Sequence, residues 1–251
     1  MTEETGLPAS FELAWGVRDR PTKGPKRGLS LEQIVDAGIR VATAEGIGGV
    51  SMSRVAGELG TSAMSLYRYV GSKDELLWLM IDGAFGQMNA AEPVEGTWRE
   101  RLEQWARIQL TALRRFPWIL SIPISSAPIM PHQMRFMEWA LRALGGTRLT
   151  EQEKMSVLLL ITSYTRSFAG LSGDIAAAVE AGNPVAQAAV TGYGALIKRL
   201  TSAEEFPALH AVVDSGAFDD EDNPSDALEH DFRFGLDRIF DGVAVLIQRR
   251  E

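Results

Sequence analysis

The side chains best suited to recognising a partner lie between residues 51 and 75, where hydroxyl, aromatic and cationic groups are crowded together. Arg68 can place its guanidinium fork on the O6 and N7 atoms of a guanine, and Met64 can contact the methyl group of a thymine. Tyr67 and Tyr69 more often donate to phosphate oxygens, with packing against the following helix as the alternative. Grouped on one short helix, these side chains predict a surface that reads the major groove of DNA.

Two short helices joined by a glycine turn would position that surface. Ser51 can cap the first helix by accepting a hydrogen bond from an unpaired backbone N–H, and an apolar face at helical spacing follows it. Gly60 tolerates the left-handed conformation that a turn of about three residues requires. Thr61 or Ser62 can cap the second helix, and Leu66 would face inward. The pattern predicts a helix-turn-helix.

The segment 31–82 resembles the DNA-binding domain of the tetracycline-repressor (TetR) family of one-component transcription regulators. The matching motifs are AEGIGGVS, RVAGELGTS and LYRYVGSKDELL, followed by a long helix that begins at Ser72. Farther along, WRERLEQWARIQLTALRRFPW and FRFGLDRIFDGVAVLI resemble the regulatory domain of the tetracycline-repressor class. The resemblance implies an all-α fold, with an N-terminal three-helix helix-turn-helix domain and a C-terminal helical ligand-binding and dimerisation bundle.

Carrying the motif over position by position implies a set of DNA-binding residues on the turn, the second helix and the start of the next helix. Lys73 is expected to neutralise a phosphate at that helix start. The full set is Ser51, Ser53, Arg54, Thr61, Ser62, Ala63, Met64, Ser65, Tyr67, Arg68, Tyr69 and Lys73.

The chain is expected to divide at two places. Residues 1–29 would be a flexible basic N-terminal arm, residues 30–75 the DNA-binding domain, and residues 76–251 the ligand-binding and dimerisation domain. The basic residues of the arm are interleaved with proline and glycine over 18–27, so this stretch cannot form a helix. It could enter a minor groove or remain a solvated leader, and Phe11, Leu13 and Trp15 could dock the leader on a protein surface.

Charge is distributed unequally along a chain whose formal net charge is −8. Residues 1–73 hold 9 Lys or Arg and 8 Asp or Glu, which leaves 16 basic and 25 acidic residues over 74–251. Acidic surface on the second part would repel DNA and orient the other end toward it. The asymmetry is consistent with one DNA-reading end.

Six tryptophans and several methionines in a helical chain suit an adaptable cavity for a large flat apolar ligand, although each aromatic alone could be ordinary core. Thr165 could help to orient such a ligand. No cofactor or metal is predicted, because the three histidines stand 78 and 20 residues apart and form no helical metal pair. The expected ligand-binding residues are Asn89, Trp105, Gln109, Trp118, Met134, Tyr164 and Phe168.

A homodimer is expected from the helix predicted over 226–249. Its apolar stripe is too broad for one side of a surface helix, so we expect it to face a partner. The resemblance implies that this helix and the one beginning near residue 150 form a four-helix bundle with their symmetry mates.

These features predict a ligand-responsive DNA-binding regulator, most simply a repressor released from a palindromic double-stranded operator by a small apolar or aromatic inducer. The alternatives are a helical-bundle enzyme acting on a small hydrophobic substrate and an architectural DNA-binding protein. No catalytic residue is predicted, because no nucleophile, base and orienting group stand at related spacings. With no cysteine and no apolar run near the roughly 20 residues that span a bilayer, a soluble cytoplasmic protein without a membrane partner is expected.

Overall fold

The computed structural model describes residues 6–17, 29–88, 94–124, 127–218 and 224–250, and within these ranges the regular secondary structure is entirely helical. The all-α prediction is therefore confirmed. The helices are α1 (Ala9–Ala14), α2 (Leu31–Glu45), α3 (Met52–Glu58), α4 (Ala63–Tyr67), α5 (Lys73–Met88), α6 (Trp98–Arg115), α7 (Pro131–Ala143), α8 (Glu151–Glu180), α9 (Pro184–Leu200), α10 (Pro207–Asp214) and α11 (Pro224–Gln248), with 3₁₀ turns at Ile47–Gly49 and Pro117–Ser121.

Reciprocal capping boxes begin two amphipathic helices that each bury one apolar face. Ser30 accepts a hydrogen bond from the backbone N–H of Gln33, whose side chain accepts from the backbone N–H of Ser30, and α2 starts there. Thr97 and Glu100 repeat the arrangement at α6. Each box satisfies two backbone donors that a helix start leaves unpaired, so both helices start at positions that their sequences specify.

The chain forms two compact units, residues 1–166 with 246–251, and residues 167–245. The expected boundary between residues 75 and 76 falls inside α5, which packs against both α2 and α7 within the first unit. Two glycines explain how closely α5 approaches α2. A Cβ on Gly38 would stand 2.7 Å from the Met80 sulfur, and one on Gly83 would stand 2.7 Å from a methyl carbon of Val35.

The N-terminal segment contains a docked helix, so the expected flexible arm over 1–29 is wrong for Ala9–Ala14. Phe11 of α1 is buried, and the Ser10 hydroxyl donates to a carboxylate oxygen of Glu75 at 2.5 Å. The Trp15 indole N–H donates to the Ile129 carbonyl at 3.0 Å. Apolar contact and these hydrogen bonds offset the cost of ordering the segment. The basic stretch 18–28 lies outside the described residues.

The second unit contains the α9–α10 hairpin and most of α11. The Lys198 ammonium lies 2.7 Å from an Asp214 carboxylate oxygen, which joins α9 to the end of α10. The apolar stripe of α11 is already buried in the single chain, as Phe232 and Phe240 show with 0% and 1% exposure. The expectation that α11 faces a second subunit stays a prediction, and Phe234 and Val245 on the same helix are 57% and 46% exposed.

Candidate functional site

The helix-turn-helix is built on a small buried core. Ser51 caps α3 by accepting from the backbone N–H of Arg54, as expected. Gly60 has φ 65°, and the Thr61 N–H donates to the Ala56 carbonyl at 2.9 Å, which closes the turn. On the next helix Leu66 is fully buried, so α4 is fixed by its inner face.

The outer face of α4 presents side chains that make few contacts within the protein. Met64 is 73% exposed and Tyr67 is 48% exposed, although both are large apolar-bodied residues that would ordinarily seek cover. The Arg68 guanidinium is exposed and forms no hydrogen bond or ion pair with the part of the chain that the structure describes. Unpaired donors beside exposed apolar surface suit the edges of bases and the phosphates that flank them.

The remaining polar residues of the turn divide between exposed and internally bonded groups. Ser62 occupies the N-cap position of α4, but its hydroxyl makes no capping bond and instead lies 3.1 Å from the Ser65 hydroxyl. The expectation that Thr61 or Ser62 caps this helix is therefore right for the position of Ser62 and wrong for the side-chain hydrogen bond, which is absent among the described residues. Ser53 is exposed, and Thr61, Ala63 and Tyr69 are partly covered.

Arg54 has internal partners that the sequence reading did not anticipate. Its guanidinium lies 2.6 Å from a Glu45 oxygen and 3.3 Å from a Glu58 oxygen, and Arg40 also pairs with Glu58 at 3.3 Å. Hydrogen bonds from Arg40 and then Arg54 lower the pKa of Glu58, and the bond to Glu45 is the largest cause of the raised pKa of Arg54. Arg54 thus joins α2 to α3 and is less available to a phosphate than Arg68.

The junction between α4 and α5 is fixed by two side chains. The Ser72 hydroxyl accepts from the backbone N–H of Glu75 at 3.1 Å, and a Glu75 oxygen accepts from the backbone N–H of Gly71 at 3.0 Å. Lys73, the first residue of α5, is exposed beside this junction. A cation at this position lies where a helix start can approach the DNA backbone.

The second candidate region, which concerns ligand binding, is an aromatic cluster centred on Phe136 of α7. Its members are Phe85 of α5, Trp105 of α6, Phe136 and Trp139, which we call the Phe136 cluster. Ring centroids lie 5.0 Å apart for Trp105 and Phe136, 5.5 Å for Phe85 and Phe136, and 5.9 Å for Phe136 and Trp139. The Trp105 N–H donates to the Phe136 carbonyl at 2.8 Å. Trp105 therefore has its polar atom satisfied by the protein.

Four polar atoms of this first unit are buried without a hydrogen-bond partner among the described residues, namely Nε of Arg101, Oε1 of Gln109, Nε1 of Trp139 and Oγ1 of Thr165. Gln109 follows Trp105 by one helical turn, and Trp139 belongs to the cluster. The sequence predicted Gln109 and Thr165 as polar ligand contacts, and it placed Trp139 among the aromatics that could line a cavity without singling out its N–H. Only the unsatisfied indole N–H separates Trp139 from ordinary core aromatics, and no sequence pattern reports it.

The other expected ligand-binding residues are dispersed. The Trp118 indole N–H lies 3.3 Å from the Thr43 hydroxyl, so this side chain is bonded to α2. Met134 and Tyr164 are partly covered on α7 and α8. In the second unit, Phe168 lies against Phe232 with ring centroids 5.2 Å apart. Asn89 lies outside the described residues.

Asp82 links the two regions through α5. Its Oδ1 accepts hydrogen bonds from the backbone N–H groups of His132 and Gln133, each at 2.9 Å, in the first turn of α7. Met130 occupies the N-cap of α7 and has no side chain able to cap it, so Asp82 does this from another helix. Burial raises the pKa of Asp82, against the lowering effect of these bonds and of His132 and Arg135.

Among the described residues, no group of three histidine or carboxylate side chains is arranged to hold a metal ion. No helix in those same ranges combines the length and apolar character needed to cross a bilayer.

Two family descriptions match the chain, and together they include both candidate regions. Residues 34–78 match the bacterial regulatory proteins of the tetR family, and residues 90–247 match the tetracyclin repressor-like C-terminal domain. The chain belongs to the TetR family of helix-turn-helix transcription regulators. This assignment favours the regulator over the enzyme alternative.

Individual relatives agree with the family. The chain is 37% identical to the HTH-type transcriptional repressor DrrR1 of Streptomyces coeruleorubidus, over 99% of this chain and 91% of that protein. It resembles the solved structure of the Streptomyces coelicolor TetR family protein ActR in complex with actinorhodin, with a TM-score of 0.72 and 25% identity over 88% of this chain and 98% of that one. The structure of ActR with (S)-DNPA gives a TM-score of 0.67 at the same identity, over 87% and 98%.

Proposed function

We propose that this protein is a homodimeric repressor that binds a palindromic operator through α4 and leaves it when a large, flat aromatic inducer binds near the Phe136 cluster. Exposed, unpaired Arg68 on a helix whose inner face is fully buried is the observation that carries the DNA-binding half. The inducer half is supported by ActR, which is similar along most of its length and has been solved with actinorhodin. As a regulator of transcription the protein would act in the cytoplasm.

Within α4, Arg68 is assigned to a guanine and Met64 to a thymine methyl group, because these are the side chains on the exposed face that suit base edges. Tyr67 is assigned to phosphate, as is Lys73 at the start of α5. Arg54 is assigned a positioning role, since Glu45 and Glu58 already engage its guanidinium.

The dimer is proposed to form through α8. Five apolar side chains on this helix are exposed, and two pairs of them, Met155 with Leu159 and Leu171 with Ile175, are each one turn apart. Isolated exposed leucines are normal, but this many large apolar side chains on one helix usually mark an interface. The residues are Met155, Leu159, Leu160, Leu171 and Ile175.

Release requires that the inducer favour a conformer with a different separation between the two DNA-reading helices. The proposed route runs through α5, which begins beside the α4 junction at Lys73. Farther along, α5 contacts α7 through the Asp82 cap and through Phe85 against Phe136. A ligand that displaces α7 would act on α5 at these two points.

The test uses fluorescence anisotropy with the intergenic DNA beside the protein's own gene, together with footprinting and titration with actinorhodin. We expect protection of a short palindrome and its loss as the compound is added. Equal affinity for the palindrome and for scrambled DNA would instead indicate an architectural protein.

Sedimentation at micromolar concentration tests the interface separately. Leu159→Glu should give a monomer with weakened operator binding. Leu200→Glu, a matched change at an exposed leucine of α9, should leave the dimer intact. Dimers of unchanged stability in both variants would refute the α8 interface.

A further inference from the structure

Unsatisfied buried polar atoms are rare in native proteins, and each costs free energy unless something outside the chain completes it. Gln109 and Thr165 are 5% and 0% exposed, yet neither Gln109 Oε1 nor Thr165 Oγ1 has a hydrogen-bond partner in the part of the chain that the structure describes. The same is true of Trp139 Nε1. A fourth such atom, Nε of Arg101, belongs to a guanidinium that already lies 3.9 Å from Glu95.

Thr165 departs from what helical hydroxyls do elsewhere in this protein. Such groups commonly donate to the carbonyl one turn back, because that acceptor is always near. Thr111 donates to the Arg107 carbonyl at 2.8 Å, and Thr201 donates to the Ile197 carbonyl at 2.7 Å. Thr165 is more deeply buried than either and makes no such bond.

Trp139 departs in the same way from other tryptophans of the chain. The indole N–H groups of Trp15, Trp105 and Trp118 donate to Ile129, Phe136 and Thr43 respectively. A buried indole ordinarily finds such an acceptor. Trp139 sits edge-on to Phe136 and leaves its own N–H unsatisfied.

Gln109 and Trp139 lie on adjoining turns of two packed helices. Gln109 is four residues after Trp105 on α6, and Trp139 is three residues after Phe136 on α7. The Trp105 and Phe136 rings are stacked, at 5.0 Å and 22°, so each of the two polar residues stands one helical turn from a ring of the same stacked pair. Thr165 lies in the same compact unit.

We infer that Gln109, Trp139 and Thr165 are the polar contacts of the inducer, and that the inducer is a polycyclic aromatic bearing both a free hydroxyl and a carbonyl. Gln109 Oε1 can only accept, so the ligand must donate to it, and Trp139 Nε1 can only donate, so the ligand must also accept. Thr165 can do either. This inference rests on the proposed function, and it adds Trp139 and the donor and acceptor pattern.

Variants that remove these polar atoms test the inference through two readouts. Gln109→Met and Thr165→Val nearly keep the shape of the side chain and remove a polar atom that has no bond to lose, so we expect the melting temperature of the free protein to stay the same or rise. Trp139→Phe also removes part of the ring system, so its effect is compared with that of Trp15→Phe, which loses the same atoms and a hydrogen bond as well. Trp15→Phe and Thr201→Val remove bonded atoms and should lower the melting temperature, by up to about 2–4 °C. Equivalent losses in the first three variants would show that their polar atoms are internally bonded and would overturn the inference.

The second readout is affinity for three probes: a dihydroxyanthraquinone whose hydroxyls are remote from its carbonyls, its dimethyl ether, and anthracene. Wild-type protein should bind the dihydroxy compound most tightly. Gln109→Met should abolish the preference over the ether, and Trp139→Phe should weaken both carbonyl compounds about tenfold, the equivalent of one hydrogen bond. The two control variants should keep the wild-type order.

Operator binding, measured on the same variants, separates this inference from the proposed function. Selective binding of the dihydroxy probe without release of the operator would support the assignment of the polar contacts and refute the proposal that the ligand is an inducer. Failure of all three probes to bind would overturn the ligand class. Binding of anthracene as tightly as the dihydroxy probe would overturn the polar contacts.

Discussion

The outer face of α4 and the Phe136 cluster both contain unpaired polar atoms, but they do so in opposite surroundings. Arg68 is exposed, so water satisfies its donors until DNA replaces it. Gln109 and Trp139 have buried atoms that water does not reach. An exposed unpaired group costs little, whereas a buried one costs about 1–3 kcal/mol. Residue type in the sequence is therefore enough to identify the outer face of α4, whereas the unpaired atoms near the Phe136 cluster can be identified only from the packed structure.

Substitutions should therefore separate the two regions by what they change. For Trp105 and Phe136 the dominant effect of a large truncation is on the free energy of unfolding, because both side chains are buried. On the outer face of α4 the dominant effect is on operator affinity, because the side chains contact little within the protein. Operator affinity and the free energy of unfolding, measured on the same variants, test this division.

Trp105→Ala should lower the free energy of unfolding by about 3–5 kcal/mol, because it removes a stacked, buried ring and its hydrogen bond to Phe136. Urea denaturation measures this. If Trp105 were solely the ligand-binding residue that the sequence predicts, this variant would fold, bind DNA and lose only its response to inducer. That outcome, with stability unchanged, would return Trp105 to the list of dedicated ligand contacts and break the division between the regions.

Arg68→Ala should cost about 1–3 kcal/mol at the operator and relax preference at one base pair in each half-site. Stability should change by less than about 0.5 kcal/mol, since the side chain is exposed. Titration against operator variants measures the first effect and urea denaturation the second.

Lys73→Ala is the matched control for Arg68→Ala. It should weaken binding to all sequences alike and reduce the slope of affinity against salt by about one, because it removes one phosphate contact. If both variants lost specificity equally, the separate roles of base reader and phosphate contact would be abandoned.

The helix-turn-helix was predictable because its determinants are local. A serine cap, a glycine with positive φ and an inward leucine all act within a few residues, and the structure contains each of them at Ser51, Gly60 and Leu66. The all-α fold follows from helical periodicity for the same reason. Local patterns specify secondary structure and turn geometry well.

Features decided by distant partners were not predictable. Arg54 was expected to contact a phosphate because the sequence does not show its pairing with Glu45, which depends on how α2 packs against α3. Trp118 was expected to contact the ligand because its partner Thr43 is 75 residues away along the chain. The docked α1 depends on Glu75 and Ile129 in the same way. Each error concerns a side chain whose partner is set by tertiary packing.

Asp82 should show how strongly α5 is tied to α7. Asp82→Ala removes the acceptor for two backbone donors and should cost about 0.5–2 kcal/mol of stability, the usual loss for a helix cap. Asp82→Asn keeps an acceptor oxygen without the charge and should cost less. Thermal unfolding of the three proteins measures both differences.

The Asn variant also gives a pH test. Because burial raises the pKa of Asp82 in the folded state, the folded protein binds more protons than the unfolded one above the ordinary carboxyl pKa. Wild type should therefore gain stability relative to Asp82→Asn as pH falls from about 7 toward about 4, and lose it again as pH rises through the folded pKa. The reverse slope would mean that the bonds to α7 outweigh burial.

Arg54→Ala should have the smallest effect on DNA binding, and it sharpens the contrast with Arg68 on the same surface. Both arginines are exposed and were assigned to DNA, but Arg54 is held by Glu45 and Glu58. Because binding a phosphate would require it to leave those carboxylates, most of its charge is already compensated. We expect operator preference to be unchanged at every base pair, the salt slope to fall by less than for Lys73→Ala, and a small loss of stability at low salt from the broken α2–α3 link.

Ser53→Ala, one residue earlier and also exposed, controls for changes in the α3 surface. A loss of affinity as large as that of Arg68→Ala, with stability intact, would show that Arg54 releases its carboxylates on the operator, and the distinction between occupied and available cations would fail on this face.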